Sequence, residues 1–75
     1  MMKRLNKNLS IIVEKTSTGF SAYSTEYSIF TTGGSMPELV SNVYDAVNFY
    51  FEDQNVEVAK ENIQFEIDFK QFFQY

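Results

Sequence analysis

The sequence predicts an α+β fold, in the order β-β-β-α-β, in which one helix covers one face of a mainly antiparallel sheet. Three observations support this prediction. Large apolar and polar side chains alternate through residues 63–70, which is the pattern of a half-buried strand. Apolar side chains recur at helical spacing through residues 36–50, so this segment forms a helix with one apolar face. Two short extended runs, at residues 9–15 and 19–24, precede that helix.

The first two strands each give apolar side chains to the sheet face under the helix. These are Leu9, Ile11 and Val13 in the first strand, and Phe20 and Ala22 in the second. The third strand lies around residues 27–32, and its register is open because the neighbours Ile29 and Phe30 cannot both point inward. The opposite sheet face is predicted to be largely polar. It holds Ser10, Ile12, Glu14, Tyr23, Gln64, Glu66 and Asp68.

The helix is predicted to begin abruptly at a capping sequence. Ser35 can accept a hydrogen bond from the first turn, and Glu38 can reach back to the backbone N–H of Ser35. Pro37 falls in the first turn, where its missing N–H costs little. Gly33 and Gly34 are expected to permit the tight backbone between strand and helix.

Composition and charge narrow the possible functions. The chain has 75 residues, enough for one domain, and its lack of Cys and His excludes disulfides, thiolate metal sites and the commonest catalytic bases. Residues 1–8 carry three of the six basic side chains and form a basic N-terminal arm, which we expect to be frayed. Residues 9–75 hold three lysines against ten carboxylates, a net charge of −7. Such a body repels nucleic acid and attracts a basic protein.

The sequence also bears on location. The apolar stretch that follows the basic arm, residues 11–13, is too short for a signal sequence or a membrane span. We therefore expect a cytoplasmic protein that makes no membrane contact.

Carboxylates are the remaining candidates for catalysis. The predicted order of strands and helix is that of the first half of the ribonuclease H fold, and Glu14, Asp45 and Asp68 lie on loosely corresponding elements. Asp45 is predicted on the outer face of the helix and Asp68 on the opposite sheet face, so the three do not converge on a metal ion. A phosphate cradle at residues 33–35 is disfavoured because no Walker lysine follows. We therefore predict no enzyme activity, no catalytic residue, no cofactor and no metal site.

The segments around the helix resemble those of HicB-like antitoxins, and the resemblance covers residues 9–70. The shared features are an N-terminal strand, Gly19 at the start of the second strand, Thr32, Gly33, Gly34 and Ser35 before the helix, Glu38 early in it, and Ala46 on its apolar face. At residues 25–28 this chain has Thr-Glu-Tyr-Ser, where members of the family usually carry an Asp-x-Pro-Gly loop.

The resemblance implies a partner and a function. HicB-like domains bind a HicA-like toxin, which is a small basic mRNA interferase with a double-stranded-RNA-binding-like fold and a catalytic His. An acidic, aromatic surface would cover the RNA path of such a toxin. Members of the family commonly continue into a DNA-binding domain. We thus divide the chain into the arm at 1–8, one HicB-like domain at 9–70 and an aromatic tail at 71–75, which we expect to lead toward such a domain.

Five side chains are candidates for binding that partner, because aromatic and acidic groups suit a basic surface. They are Tyr23, Glu26, Tyr27, Phe49 and Glu52. Phe49 projects from the helix among acidic side chains, apart from the apolar stripe. Two interpretations of Phe49 stay open, since it either folds onto the loop after the helix or anchors a partner. For Tyr23 and Tyr27 beside Glu26, the alternative is that they are solvated strand residues.

A second function is compatible with the same sequence. A self-associating structural domain without catalytic activity would use an exposed sheet edge and the aromatic tail to form a dimer or tetramer. In that interpretation Phe72, Phe73 and Tyr75 close the edge of the core or an interface between copies. The two functions are compatible with each other, and we expect a homo-oligomer.

Overall fold

The computed structural model describes residues 3–67. The strands are β1 (Lys3–Arg4), β2 (Leu9–Lys15), β3 (Phe20–Ser24), β4 (Phe30–Gly33), β5 (Val56–Glu57) and β6 (Ile63–Ile67). The helix α1 spans Met36–Glu52, and a 3-10 turn spans Lys60–Asn62. The predicted strands correspond to β2, β3, β4 and β6, so the α+β class and the β-β-β-α-β order are confirmed. The aromatic tail and Asp68 lie outside the described residues. Within residues 3–67, no helix has the length and apolarity needed to cross a membrane.

The main sheet has four strands in the order β4-β3-β2-β6. β2 is antiparallel to β3, and β3 is antiparallel to β4, so these three strands form a meander. β6 returns beside β2 and runs parallel to it, with Leu9 next to Ile63. A parallel pair needs a crossover connection, and α1 supplies it.

The core lies between α1 and one face of the sheet. β2 buries Leu9, Ile11 and Val13, and the facing side of the helix supplies a row at helical spacing. That row consists of Leu39, Val43, Val47 and Phe51. Phe51 lies beyond the predicted stripe, and it is buried because the helix continues to Glu52 and carries the spacing one step further.

The structure resolves the register of the third strand. Ile29 is buried, whereas Phe30 begins β4 and pairs with Tyr23, so the side chain of Phe30 is on the opposite sheet face. The strand therefore begins three residues later than predicted. Before it, the Ser24 hydroxyl accepts hydrogen bonds from the backbone N–H groups of Glu26 and Tyr27, which fixes the turn between β3 and β4.

The start of α1 agrees with the predicted cap except in one hydrogen bond. The Ser35 hydroxyl accepts from the Glu38 N–H at 3.3 Å, as expected of an N-cap. The Glu38 carboxylate, however, accepts from the N–H of Gly34 and not from that of Ser35. The chain enters the helix so that the N–H of Gly34, one residue before Ser35, lies within hydrogen-bond distance of the Glu38 carboxylate.

Gly19 and Gly33 are required for close packing and not for an unusual backbone conformation. None of the glycines has a positive φ. A Cβ on Gly33 would lie 2.6 Å from the Leu39 nitrogen, and one on Gly19 would lie 2.4 Å from the Gly33 carbonyl oxygen. These two glycines let the end of β4 touch both the first turn of α1 and the start of β3.

The basic arm is not frayed along the part that the structure describes, so that prediction is wrong. Lys3 and Arg4 form β1, which pairs in parallel with β5. The Lys3 N–H donates to the Asn55 carbonyl at 2.8 Å, and the Leu5 N–H donates to the Glu57 carbonyl at 3.0 Å. Asn55 adopts φ 54°, a left-handed conformation that Asn tolerates, and this bend turns the chain from α1 into β5.

Candidate functional site

An open groove lies between the start of β4 and the C-terminal half of α1. It has a volume of about 480 Å³. Its lining residues are Ser28, Ile29, Phe30, Ala46, Phe49, Tyr50, Glu52 and Asp53, and we refer to it as the acidic groove. Two of these, Phe30 at 67% and Phe49 at 77%, are the exposed large apolar side chains of the described part of the chain. Paired exposure of this kind marks a surface suited to binding another molecule.

The outer face of α1 carries three exposed carboxylates, of which Glu52 lines the groove. Glu38, Asp45 and Glu52 are exposed and follow one another at intervals of seven residues. This spacing sets them on one side of the helix, each about 10.5 Å along the axis from the next. We refer to these three residues as the acidic stripe. Phe49 lies between the last two of them, as the helical spacing predicts, and its exposure rules out the interpretation in which it folds onto the following loop.

The N-terminal part of the acidic stripe, at Glu38, lies beside the outer edge of β4. Gly33 lies against Leu39 near the start of the helix, while Phe30 shares the groove with Phe49 near its end, so strand and helix are antiparallel. Asn42, on the same face as the stripe, donates from its Nδ2 to the Thr32 carbonyl at 2.8 Å. This hydrogen bond fixes the helix face against the strand edge.

The groove carries uncompensated negative charge. Two ion pairs occur among residues 3–67, Arg4 with Glu57 and Lys7 with Glu26, and neither involves the groove. Glu52 and Asp53 lie at the C-terminal end of α1, whose last turn has no basic residue. The helix dipole is negative at that end, so these two carboxylates are unfavourably placed in the free domain. A cationic partner would neutralise the charge of the groove and would offset the unfavourable interaction of these two carboxylates with the helix dipole.

The structure divides the five predicted residues among three places. Phe49 and Glu52 come together in the acidic groove. Tyr23 lies on the opposite sheet face, in one cross-strand row with Ile12 and Phe30. Glu26 and Tyr27 lie in the turn before β4.

That turn is tied to the N-terminal arm. The Lys7 Nζ donates to the Glu26 carboxylate at 2.8 Å and lies 5.3 Å from the centroid of the Tyr27 ring. The hydrogen bond to Glu26, followed by one to Tyr27, raises the pKa of Lys7 above its ordinary value of 10.5. Tyr27 also packs edge-on against Phe51 at 5.1 Å and is close to Tyr50, so it supports the wall of the groove from behind.

Sequence reasoning missed two groove residues, Phe30 and Asp53. Phe30 was missed because the register of its strand stayed open. With Ile29 in the core, the side chain of Phe30 lies outside. Asp53 follows the predicted helix, and no periodic pattern at that point indicates that it lines the groove.

Two other candidate sites can be assessed. Within residues 3–67, no three acidic side chains are close enough to hold a metal ion; Asp68 is outside this range. At the start of α1, the N–H groups of Gly34, Glu38 and Leu39 already donate to the Glu38 carboxylate, the Ser35 hydroxyl and the Ser35 carbonyl. These three donors are therefore already used within the chain, as in a structural cap.

Comparison with known proteins gives a partial match to a relative. No family model matches the chain, and no solved structure matches it. The chain is similar to a UPF0150 protein. That protein, from Archaeoglobus fulgidus, is 45% identical over 42 residues, which cover 56% of this chain and 64% of the relative. The match thus spans less than two thirds of the relative's length.

Proposed function

We propose that this domain is antitoxin-like and that it binds and covers a small basic HicA-like mRNA interferase. The observation that carries the proposal is the acidic groove, where Phe30 and Phe49 are exposed beside Glu52 and Asp53. The resemblance to HicB-like antitoxins supports it, as does the similarity to a UPF0150 protein, a family associated with such antitoxins. The domain would act by occlusion and would need no catalytic group of its own.

The two kinds of side chain in the groove would have different tasks. The carboxylates would speed the encounter with a basic surface, and this contribution weakens as salt screens the charges. The phenylalanines would lose their contact with water in the complex and slow its dissociation. Seated on the toxin's basic RNA path, the acidic groove would exclude the RNA through both charge and volume.

Binding to a small basic HicA-like protein, sought among the neighbouring reading frames, tests the proposal. We expect the affinity to fall as salt rises, and we expect the chain to suppress RNA cleavage by that protein in proportion to the fraction bound. Unimpaired cleavage at saturating concentrations of the chain would refute occlusion. Lack of binding at any salt concentration would leave only a likeness of fold and sequence.

Variants of the groove locate the contact. Phe49→Ala should weaken binding about 30-fold, the effect of removing one aromatic anchor. It should leave the free energy of unfolding almost unchanged, because the ring is exposed and Ala is a good helix former. Glu52→Gln should weaken binding mainly at low salt.

The matched control is Glu61→Gln, which removes an exposed carboxylate from the 3-10 turn, outside the groove. Equal losses of affinity in Glu52→Gln and Glu61→Gln would mean that overall charge, and not the groove, binds the partner.

A self-associating domain is the second candidate function. Among the described residues, β6 has a neighbouring strand only on the side of β2, and its Phe65 and Ile67 are half-buried. A second copy pairing there would bury both side chains. Light scattering over a concentration series separates the candidates. A stable oligomer of the chain alone favours this second function, whereas a monomer that associates only with the toxin favours the first.

A further inference from the structure

We propose that the partner binds through an extended basic segment that adds to the outer edge of β4 as a fifth strand and fills the acidic groove. This inference rests on the proposed function and specifies the form of the partner's binding element. It draws on three observations, which are the open edge of β4, the charge beside that edge, and the positions of the two exposed phenylalanines.

The backbone of β4 is open on its outer side. In an antiparallel pair, successive residues point their N–H and C=O groups alternately toward the partner strand and away from it. The Ser24 N–H donates to the Ile29 carbonyl at 3.1 Å, so the backbone N–H and C=O groups of Ile29 point toward β3. Those of Phe30, the next residue, therefore point away from β3, toward the open edge. By the same alternation the backbone N–H and C=O groups of Thr32 point toward the open edge. The hydrogen bond that the Thr32 carbonyl accepts from Asn42 supports this independently.

Such an edge is a template for strand addition. In the described part of the chain no strand pairs with β4 on this side. The Thr32 carbonyl has a second lone pair, so the hydrogen bond from Asn42 does not prevent it from accepting another. Phe30 and Thr32 therefore offer donors and acceptors at the spacing that an extended segment requires.

The acidic stripe selects a basic segment for this edge. The stripe extends about 21 Å along α1, and an extended segment of six residues has nearly the same length. Alternate side chains of the added segment would face the helix, where Glu38, Asp45 and Glu52 lie within reach of flexible lysines and arginines. A segment with basic side chains at every second position fits this arrangement.

The charge also argues against a second copy of this chain at the same edge. If two β4 strands paired about a two-fold axis, the two helices would lie side by side on the same face of the joined sheet. The acidic stripes would then face each other with Asp45 near its own counterpart. Like charges in that arrangement repel, so a basic partner is the better occupant.

The exposed phenylalanines flank the path of the added strand. Phe30 is on the opposite sheet face, whereas Phe49 rises from the helix that covers the other face. A strand beside β4 would pass between them and cover a ring on each of its two faces. One element thus accounts for both exposed rings and for the groove carboxylates, Glu52 and Asp53, which form no ion pair among residues 3–67.

A synthetic peptide, Lys-Val-Lys-Val-Lys-Val-Lys with blocked ends, is the probe. With the ¹⁵N-labelled chain, we expect the peptide to slow amide hydrogen exchange at Phe30 and Thr32 and to shift the resonances of the acidic stripe. A Glu-Val peptide of the same length should do neither. Shifts confined to the helix, with exchange at Phe30 and Thr32 unchanged, would overturn strand addition in favour of a purely electrostatic contact.

Two N-methylated versions of the peptide sharpen the test without altering the protein. One is methylated on the lysine amides and the other on the valine amides, so in a bound strand only one set of amides faces β4. We expect one version to bind roughly tenfold more weakly than the parent, through lost backbone hydrogen bonds, while the other retains its affinity. Equal affinities of the two versions would overturn the inference.

A variant of β4 links this result to the proposed function. Thr32→Pro removes an outward N–H, and Thr32→Val keeps it as the matched control. If the toxin binds the wild type and both variants equally, strand addition is wrong while the proposed function stands. If the toxin binds none of them but the peptide protects Phe30 and Thr32, the proposed partner is wrong and the edge site stands. If Thr32→Pro fails to fold, the methylated peptides decide on the wild-type chain.

Discussion

Gly33 is a residue at which the end of β4 lies close to the first turn of α1. Replacing it with Ala would bring the new Cβ to 2.6 Å from the Leu39 nitrogen and 2.7 Å from its Cα, both of which are backbone atoms. Because backbone cannot move aside cheaply, we predict that Gly33→Ala lowers the free energy of unfolding by about 2 kcal/mol. Urea denaturation followed by circular dichroism measures this change.

The neighbouring glycine supplies the control. A Cβ on Gly34 would meet only the Glu38 carboxylate, at 3.4 Å, and that side chain can rotate. Gly34→Ala should therefore have little effect. If both substitutions cost the same, the loss would come from backbone conformation and not from the contact with the helix.

The fold changes the ionisation of Lys7. Its pKa is raised by the hydrogen bond to Glu26 and then by that to Tyr27, so folding favours the charged amine. The resulting stabilisation is complete below the unfolded pKa and disappears as pH rises through the folded value, that is, above 10.5. We predict that Lys7→Met is destabilised relative to the wild type at neutral pH and that the difference vanishes at strongly alkaline pH.

An NMR titration of the Lys7 side chain checks the cause. In Glu26→Gln the pKa of Lys7 should return toward its ordinary value, because the main hydrogen-bond partner of the amine has lost its charge. A titration curve that is identical in the wild type and this variant would contradict the assignment.

The end of α1 illustrates a conflict between stability and binding at the scale of an element. Asp53 caps the helix where the dipole is negative, and its carboxylate lines the acidic groove. We predict that Asp53→Asn raises the free energy of unfolding by about 0.5 kcal/mol while it weakens binding of a basic partner. Thermal denaturation and titration calorimetry measure the two effects.

Asp45→Asn is the corresponding control in the middle of the same helix. It removes a charge from the acidic stripe at a position where the helix dipole has little influence. Binding should weaken as it does for Asp53→Asn, but stability should not rise. A gain in stability in both variants would point to general charge repulsion and not to the helix end.

The elements themselves were predictable where a periodic pattern was long. The apolar stripe of α1 and the alternation in β6 each extend over several side chains, so type and orientation follow from the residues alone. β1 and β5 have two residues each and carry no period, so their pairing cannot be inferred from sequence. The groove could not be predicted because it requires the orientation of Phe30. That orientation is set by the packing of its neighbour Ile29 in the core.

The N-terminal arm joins distant parts of the chain and contributes to the stability of the whole domain. It holds β5 through two backbone hydrogen bonds, and Leu5 packs against the core. We predict that a chain starting at Asn6, after an initiating Met, loses about 2 kcal/mol of stability. Chemical denaturation measures the loss, and Arg4→Gln is the control. Because the Arg4 side chain is 71% exposed and lies 3.8 Å from Glu57, removing its charge should change stability by less than about 0.5 kcal/mol.

The parallel pairing of β2 with β6 has a consequence for how the domain is made. β2 lies near the start of the chain, and its partner is the last described strand, so the centre of the sheet is completed only when almost the whole domain has been synthesised. The acidic groove, by contrast, comes from one continuous stretch between Ser28 and Asp53. A nascent or clipped chain would thus contain every groove residue and still leave one edge of β2 open to unwanted pairing. Folding speed, and not only final stability, would then set how much competent domain a cell obtains.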